Sequence, residues 1–358
     1  MLADKARALL TTAVGGATHD EVRKAAQDFL DASRNASASD VRAALGLVGG
    51  AYSLPYTEHL LLVLATAGAL VERGADPTPL VAPVVEFLQR LTPLAVDFHR
   101  ACVREVPADA DDEDAEFGKA ADRFRAQMPK QAEAWGMLES LYVPVIAVLA
   151  TSPAARAQGR PLAKQMIELR RYNAGASWLH PMLMVLDREP ILVIEPGTGL
   201  GLTGRMSGIS SNFQLHALLM DIFPQSDPHG DRRISQTAAD IVRGNVAQQQ
   251  DDAGMVGCWN LHAWTALQGT GRLTNDHSHS STSHWIWNEG VPADIPLFDG
   301  HRVVVLGPPS YARSFAAGRD FSSLRADIEV ERLLSPLEVN TWVTRFWQAR
   351  SEATRGDA

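Results

Sequence analysis

Imidazoles are the chemically versatile side chains placed most unevenly in this chain. Eight of its eleven histidines, His180, His216, His229, His262, His277, His279, His284 and His301, fall between residues 180 and 301. Within Asp276-His277-Ser278-His279 the two histidines stand two apart, a spacing that on a strand aims both rings to one face, as a shared metal requires. His284 lies five residues further on. That odd offset places it on the opposite face of a continuous strand, so it joins the pair only where residues 280–283 turn. His277, His279, His284 and His301 are therefore the candidate ligands of a transition metal ion, Fe or Zn foremost, since imidazole suits both. Trp285 and Trp287 follow at a period of two, and the turn Asn288-Glu289-Gly290 brings Glu289, with Asp294 beyond it, toward the histidines. Those two carboxylates are the candidate acid/base groups, or the groups that orient the metal ligands. Six of eight tryptophans lie after residue 258, and Trp259, Trp264, Trp285 and Trp287 are candidate walls of a small-molecule pocket.

With Gly271 set five residues ahead of His277, this segment resembles the first cupin motif, G-x5-H-x-H. Cupins are β-barrel metal proteins that include oxygenases, so the resemblance implies a bound metal. It covers only the stretch from Gly271 to His284. Where cupins carry a glutamate three or four residues after the H-x-H this chain has His284, and no second cupin motif follows.

Other strings carry less chemistry. Gly199-Leu200-Gly201-Leu202-Thr203-Gly204 matches G-x-G-x-x-G, yet the following residues, with Gly208 among serines, do not open a helix as a dinucleotide site needs, and a glycine-rich β-hairpin is expected instead. His99 and Cys102 share one face of a predicted helix at i and i+3, but a lone pair is not a site. His216 falls in a run apolar on all sides and reads as a core histidine. Arg170-Arg171-Tyr172 is too small for a nucleic-acid patch. The acidic run from Asp109 to Glu116 fails the calcium-loop test, with Asp114 where the loop needs glycine and Ala120 where it needs glutamate. P-loop, H-E-x-x-H, C-x-x-C and G-x-S-x-G strings are absent.

The elements that would position these residues change character along the chain. Up to about residue 175 the pattern is helical. Thr18-His19-Asp20-Glu21 is a capping box before a helix over 19–33, Ser39 precedes a short helix, and Thr57-Glu58 opens an apolar helix ending near Gly74. Further helices are expected over 79–104, 116–128, 131–150 and 155–172. Beyond residue 180, short strands are expected at 182–186, 191–194, 200–206, 255–264, 283–287 and 303–306, with buried helices over 212–223 and 234–242. Ser335-Pro336-Leu337-Glu338 starts a final helix whose stripe is Val339, Trp342, Val343, Phe346 and Trp347. The fold class expected is α+β: an all-helical N-terminal half, residues 1–175, packed against a mixed, mainly antiparallel sheet-plus-helix half, residues 176–358.

At 358 residues, 46% hydrophobic and 21% charged, the chain has the composition of a globular protein. Its net charge of −9 excludes a non-specific binder of phosphate backbones, which needs clustered positive charge. Most of that charge sits in the second half, which holds 20 acidic and 14 basic residues against 22 and 19 before residue 176. Two cysteines are too few for a disulfide scaffold, and no apolar leader can be drawn at the N-terminus, so a cytoplasmic location is expected. The leading functional expectation is a metal-assisted enzyme tailoring a small molecule or peptide, with its site in the His/Trp-rich half. The alternative is a non-catalytic protein–protein interaction or accessory protein, and the third is an enzyme using a nucleotide or haem held by the glycine hairpin or the His99/Cys102 helix.

Overall fold

The computed structural model describes residues 2–55, 57–223, 234–248, 254–267, 273, 284–309 and 314–356. The chain separates into two compact units, Met1–Met184 and Val185–Ala358.

The first unit is entirely helical: α1 (Leu2–Val14), α2 (His19–Ser33), α3 (Ala38–Gly49), α4 (Glu58–Glu72), α5 (Thr78–Val103), α6 (Glu113–Gln127), α7 (Pro129–Thr151), α8 (Pro153–Gly159), α9 (Ala163–Leu169) and α10 (Ala174–Met184). Local chemistry sets the starts. Thr18 and Glu21 form the capping box of α2, Ser37 caps α3, Thr57 caps α4 and Asp112 caps α6, so the acidic run supplies a cap and a first turn rather than ion ligands. Helix α7 is the hub, packed by α4, α5, α6, α8 and α10. It is long and apolar enough to cross a bilayer, but 61% of its most apolar stretch is buried within the protein, as a core helix requires. Its last carbonyls, Leu149 O and Ala150 O, accept from the buried Arg156 guanidinium, which satisfies helix-end groups that would otherwise be orphaned.

Two expectations fail here. The helix over 155–172 is broken into α8 and α9, because Pro161 lacks the N–H that would continue the ladder and the chain takes a short 3-10 turn at Arg160–Leu162. Residues 182–184, expected to begin a strand, instead close α10. Asn173 Oδ1 caps α10 through the Ala176 amide at 2.9 Å, and Gly175 lets that helix sit so close to α7 that a Cβ would lie 2.0 Å from Leu138 O. The first unit therefore runs to Met184.

The second unit is built on a mixed sheet of β1 (Glu189–Glu195), β2 (Leu200–Ser207), β4 (Asn260–His262), β5 (Leu297–Phe298), β6 (His301–Gly307) and β8 (Asp327–Leu334), with β3 (Gly254–Val256) and β7 (Ser314–Ala316) forming a separate pair. The order is β4-β6-β1-β2-β8, with β5 also on β6, and β1–β6 is the one parallel pairing among the described strands. Glu195 pairs with Leu200 across the glycine turn, and Gly199 takes a φ of 73°, so the G-x-G-x-x-G string is a hairpin. Alternation along β1 and β6 divides the core in two. Ile191, Val193, Val304 and Leu306 pack with α11 (Asn212–Ile222) and α12 (Gln236–Arg243), while Leu192, Ile194, Val303 and Val305 pack with Val339 and Phe346 of α13 (Pro336–Gly356). The unit is a sheet between helices, which makes the whole chain α+β.

The strand expected over 255–264 is instead two strands in different sheets, and 283–287 contributes only an isolated bridge between His262 and Trp285. Sequence reading also missed β8. Its Asp-Ile-Glu-Val-Glu-Arg-Leu-Leu run buries only Ile328 and Leu334, as suits an edge strand, where charge on both faces hides the period of two.

Candidate functional site

His277 and His279 lie outside the described residues, and so does nearly all of the Gly271–His284 stretch that resembles a cupin motif. The other predicted site residues are placed, and they are not brought together. Ala263 N donates to His284 O, beside the pairing of His262 with Val305, which puts His284 three residues along β6 from His301. That separation is roughly 10 Å along the strands, with further strand spacings across. Each ring is built into local structure. His284 Nδ1 is 3.1 Å from Thr265 Oγ1, and His301 Nδ1 is 2.9 Å from Asp299 O within the Asp299-Gly300 turn that joins β5 to β6. Both turn residues have positive φ, 49° and 76°, as a two-residue hairpin of this kind demands.

Glu289 and Asp294 are exposed. The turn carrying Glu289 instead serves α11: Asn288 O and Gly290 O accept from the Phe213 and Asn212 amides at 3.0 and 2.9 Å. Asp294 ends a 3-10 turn flanked by Ala293 O and Ile295 O, both of which accept from the Arg302 guanidinium. The tryptophans part company as well. Trp259 is buried among the α11/α12 side of the core, its Nε1 3.2 Å from Glu195 Oε1, whereas Trp264 packs on the α13 side, edge-on to Phe298 at 5.0 Å. Trp285 lies 4.5 Å from His262, and Trp287 is half exposed. His216 is fully buried between Trp259 and Phe315, the core position expected of it. Among the described residues no group of three or more His, Cys, Asp or Glu could hold a metal.

A chemically furnished cavity lies instead in the helical unit, at the end of α5. It is open to solvent and has a volume of about 320 Å³. Val103, Val106, Pro107 and Ala108, from the end of α5 and the loop after it, make its apolar wall. Facing them are His99, Glu113 at the start of α6, Glu168 of α9, and Arg171 and Tyr172 just beyond. His99 is 7% exposed and sits in an aromatic box, stacked on Trp135 at 5.8 Å and 7°, with Phe117 and Tyr172 rings at 5.8 and 5.9 Å. Phe117 and Tyr172 stack on each other at 4.1 Å, so the box is held from α5, α6, α7 and the end of α9 together.

The electrostatics follow from this packing. Burial pushes the His99 pKa below the usual histidine range, aided by the Arg100 charge and opposed by Glu168. The ring is therefore neutral near pH 7. Its Nδ1 is sealed from solvent and bonded to nothing among the described residues, which leaves Nε2 as the nitrogen able to meet a bound molecule. A buried N–H without an acceptor is rarer in proteins than a buried acceptor without a donor, so the proton belongs on Nε2. Glu168 is held ionised, its pKa lowered by hydrogen bonds of 2.6 and 2.9 Å from Arg100. Arg171 pairs with Glu113 at 2.6 Å and lies over the Tyr172 ring at 4.9 Å. Cys102, the helical neighbour of His99, points elsewhere: it is fully buried, and burial raises its thiol pKa to about 11, so it is no nucleophile.

Sequence reading noticed His99 and Arg171-Tyr172 separately and found no link between them. The link is tertiary, since α9 returns beside α5 some 70 positions later, and no local spacing encodes it. Comparison of the chain with family models, with curated proteins and with solved structures finds no match, so the site rests on its own geometry.

Proposed function

We propose that the helical unit binds a small organic molecule in the cavity beside His99. One observation carries this reading: an imidazole more than nine-tenths buried, neutral and without a hydrogen-bond partner among the described residues lines an accessible cavity whose opposite wall is apolar. Nε2 is the ring nitrogen that is not sealed off, so it is the atom a bound molecule meets. The volume suits the lower end of small-molecule pockets, roughly 300–1,000 Å³. The test is NMR of protein carrying 15N-labelled histidine, titrated with 4-ethylphenol, whose hydroxyl oxygen accepts from Nε2–H while its ring meets Val103, Val106 and Tyr172. Saturable movement of the His99 signal, abolished by the cavity-filling change Ala108→Trp at an exposed position, supports the proposal. A His99 signal indifferent to 4-ethylphenol, or one that responds equally in the filled variant, overturns it.

A second reading places metal-assisted tailoring of a small molecule or peptide in the second unit, with His277, His279 and His284 or His301 as ligands. It is favoured by the Thr265 hydroxyl on His284 Nδ1, which fixes that ring as an outer hydrogen bond fixes a ligating histidine. Metal analysis of untagged protein and of His279→Ala decides it. Stoichiometric Fe or Zn lost in the variant supports the reading, and metal-free protein that takes up neither ion sinks it.

A further inference from the structure

We infer that the molecule held beside His99 is an organic cation, an amine whose ammonium group meets the carboxylates of Glu113 and Glu168 while an oxygen on its apolar body accepts from His99 Nε2–H. This rests on the cavity being a binding site and adds the charge of its ligand. Of the three ionised side chains that line it, two are carboxylates and one is a guanidinium. Arg171 and the Tyr172 hydroxyl both contact Glu113 through Oε2, leaving Oε1 to take a further donor. Both Glu168 oxygens accept from Arg100, and each retains acceptor capacity, since a carboxylate oxygen takes two donors. An anion meeting the remaining N–H groups of Arg171 would sit beside both carboxylates. A cation completes an alternation of charge already present.

The remaining groups around the cavity agree with this assignment. His99, held neutral by burial, adds no positive charge. Tyr172, whose pKa burial raises, keeps its proton and adds no charge, its ring already covered by Phe117 and the Arg171 guanidinium. The apolar wall of Val103, Val106 and Pro107 offers nothing to an ionic group, so the body of the amine lies there and its charge on the opposite side.

A series of three phenols of matched shape separates this inference from the reading beneath it: tyramine, 4-ethylphenol and 4-hydroxyphenylacetate carry a cation, no charge and an anion on the same ring. Isothermal titration of the full chain should give tyramine about tenfold tighter than 4-ethylphenol, with 4-hydroxyphenylacetate weakest. Glu113→Gln should remove most of tyramine's advantage over 4-ethylphenol, the two being compared in the same variant. Equal affinity across the series, or an advantage for the anion, overturns the cation while leaving the cavity as a binding site. Failure of all three phenols to bind removes the binding site itself. A tyramine advantage that survives both Glu113→Gln and Glu168→Gln also overturns the assignment, because the charge would then be read elsewhere.

Discussion

His99 in the helical unit and His284 and His301 in the sheet unit put the same side chain to opposite uses. The latter two are engaged within the fold, His284 by the Thr265 hydroxyl beside β4 and His301 by the Asp299 carbonyl inside the β5–β6 turn. The His99 ring, among the described residues, bonds to no turn and no helix end, and it lies between aromatic rings and a cavity. The tryptophans repeat the contrast, since Trp259 and Trp264 fill opposite sides of the sheet core and face no common space. Abundance of a residue type thus marks where a fold consumes it. The candidate site is marked instead by a ring nitrogen, His99 Nε2, that borders a cavity.

The sharpest way to break this comparison is to shorten the tryptophans. Trp259→Ala and Trp264→Ala should each cost about 3–5 kcal/mol in chemical denaturation, as structural aromatics do. A loss under about 1 kcal/mol would make either residue a pocket wall instead. Next in size, Gly175→Ala should cost about 3 kcal/mol, because the new Cβ collides with backbone at Leu138, whereas Gly136→Ala, which meets nothing within 4 Å, should stabilise by about 0.5–1 kcal/mol. Equal effects would show that the α7–α10 seam is loose and that the cavity nearby is a packing defect.

A smaller effect concerns protons. The pKa of His99 is lower in the folded state than the unfolded value of about 6.5, so between those two values the unfolded chain binds more protons. The contribution to stability is complete above about pH 6.5 and is lost as pH falls through the lower, folded value. Denaturation midpoints recorded from pH 7.5 to 4.5 should therefore fall less steeply in His99→Gln than in the parent, and an identical slope would show that the ring titrates normally. Smallest of all, Glu289→Ala and Asp294→Ala should each change stability by less than about 0.5 kcal/mol, as exposed side chains do. A larger loss would show that these carboxylates join the sheet unit's framework.

Local signals proved sufficient for much of the fold. The capping boxes at Thr18 and Ser335, the cap at Thr57 and the glycine hairpin after Glu195 are each closed by atoms within a few residues of one another, and the elements they announce stand where the spacing places them. What misled was pattern without context. Met182 and Leu183 look like strand until Asn173 is recognised as a cap, and β8 looks like loop because an edge strand need not alternate. The cavity was hidden for a different reason. His99, Glu113, Glu168 and Tyr172 come from three regions of the chain, and only the return of α9 against α5 joins them.

The position of α10 also sets where this protein can be divided. Leu179, Met182 and Leu183 are all fully buried, and truncating even one such side chain costs about 2–5 kcal/mol against a total stability of about 5–15 kcal/mol. A gene fusion or circular permutation that breaks the chain at residue 175 would strip all three from the helical unit and leave α7 bare along the seam that Gly175 makes possible. Ten residues later, at Val185, the same break would leave every helix that frames the His99 cavity together with its packing partners in the first unit.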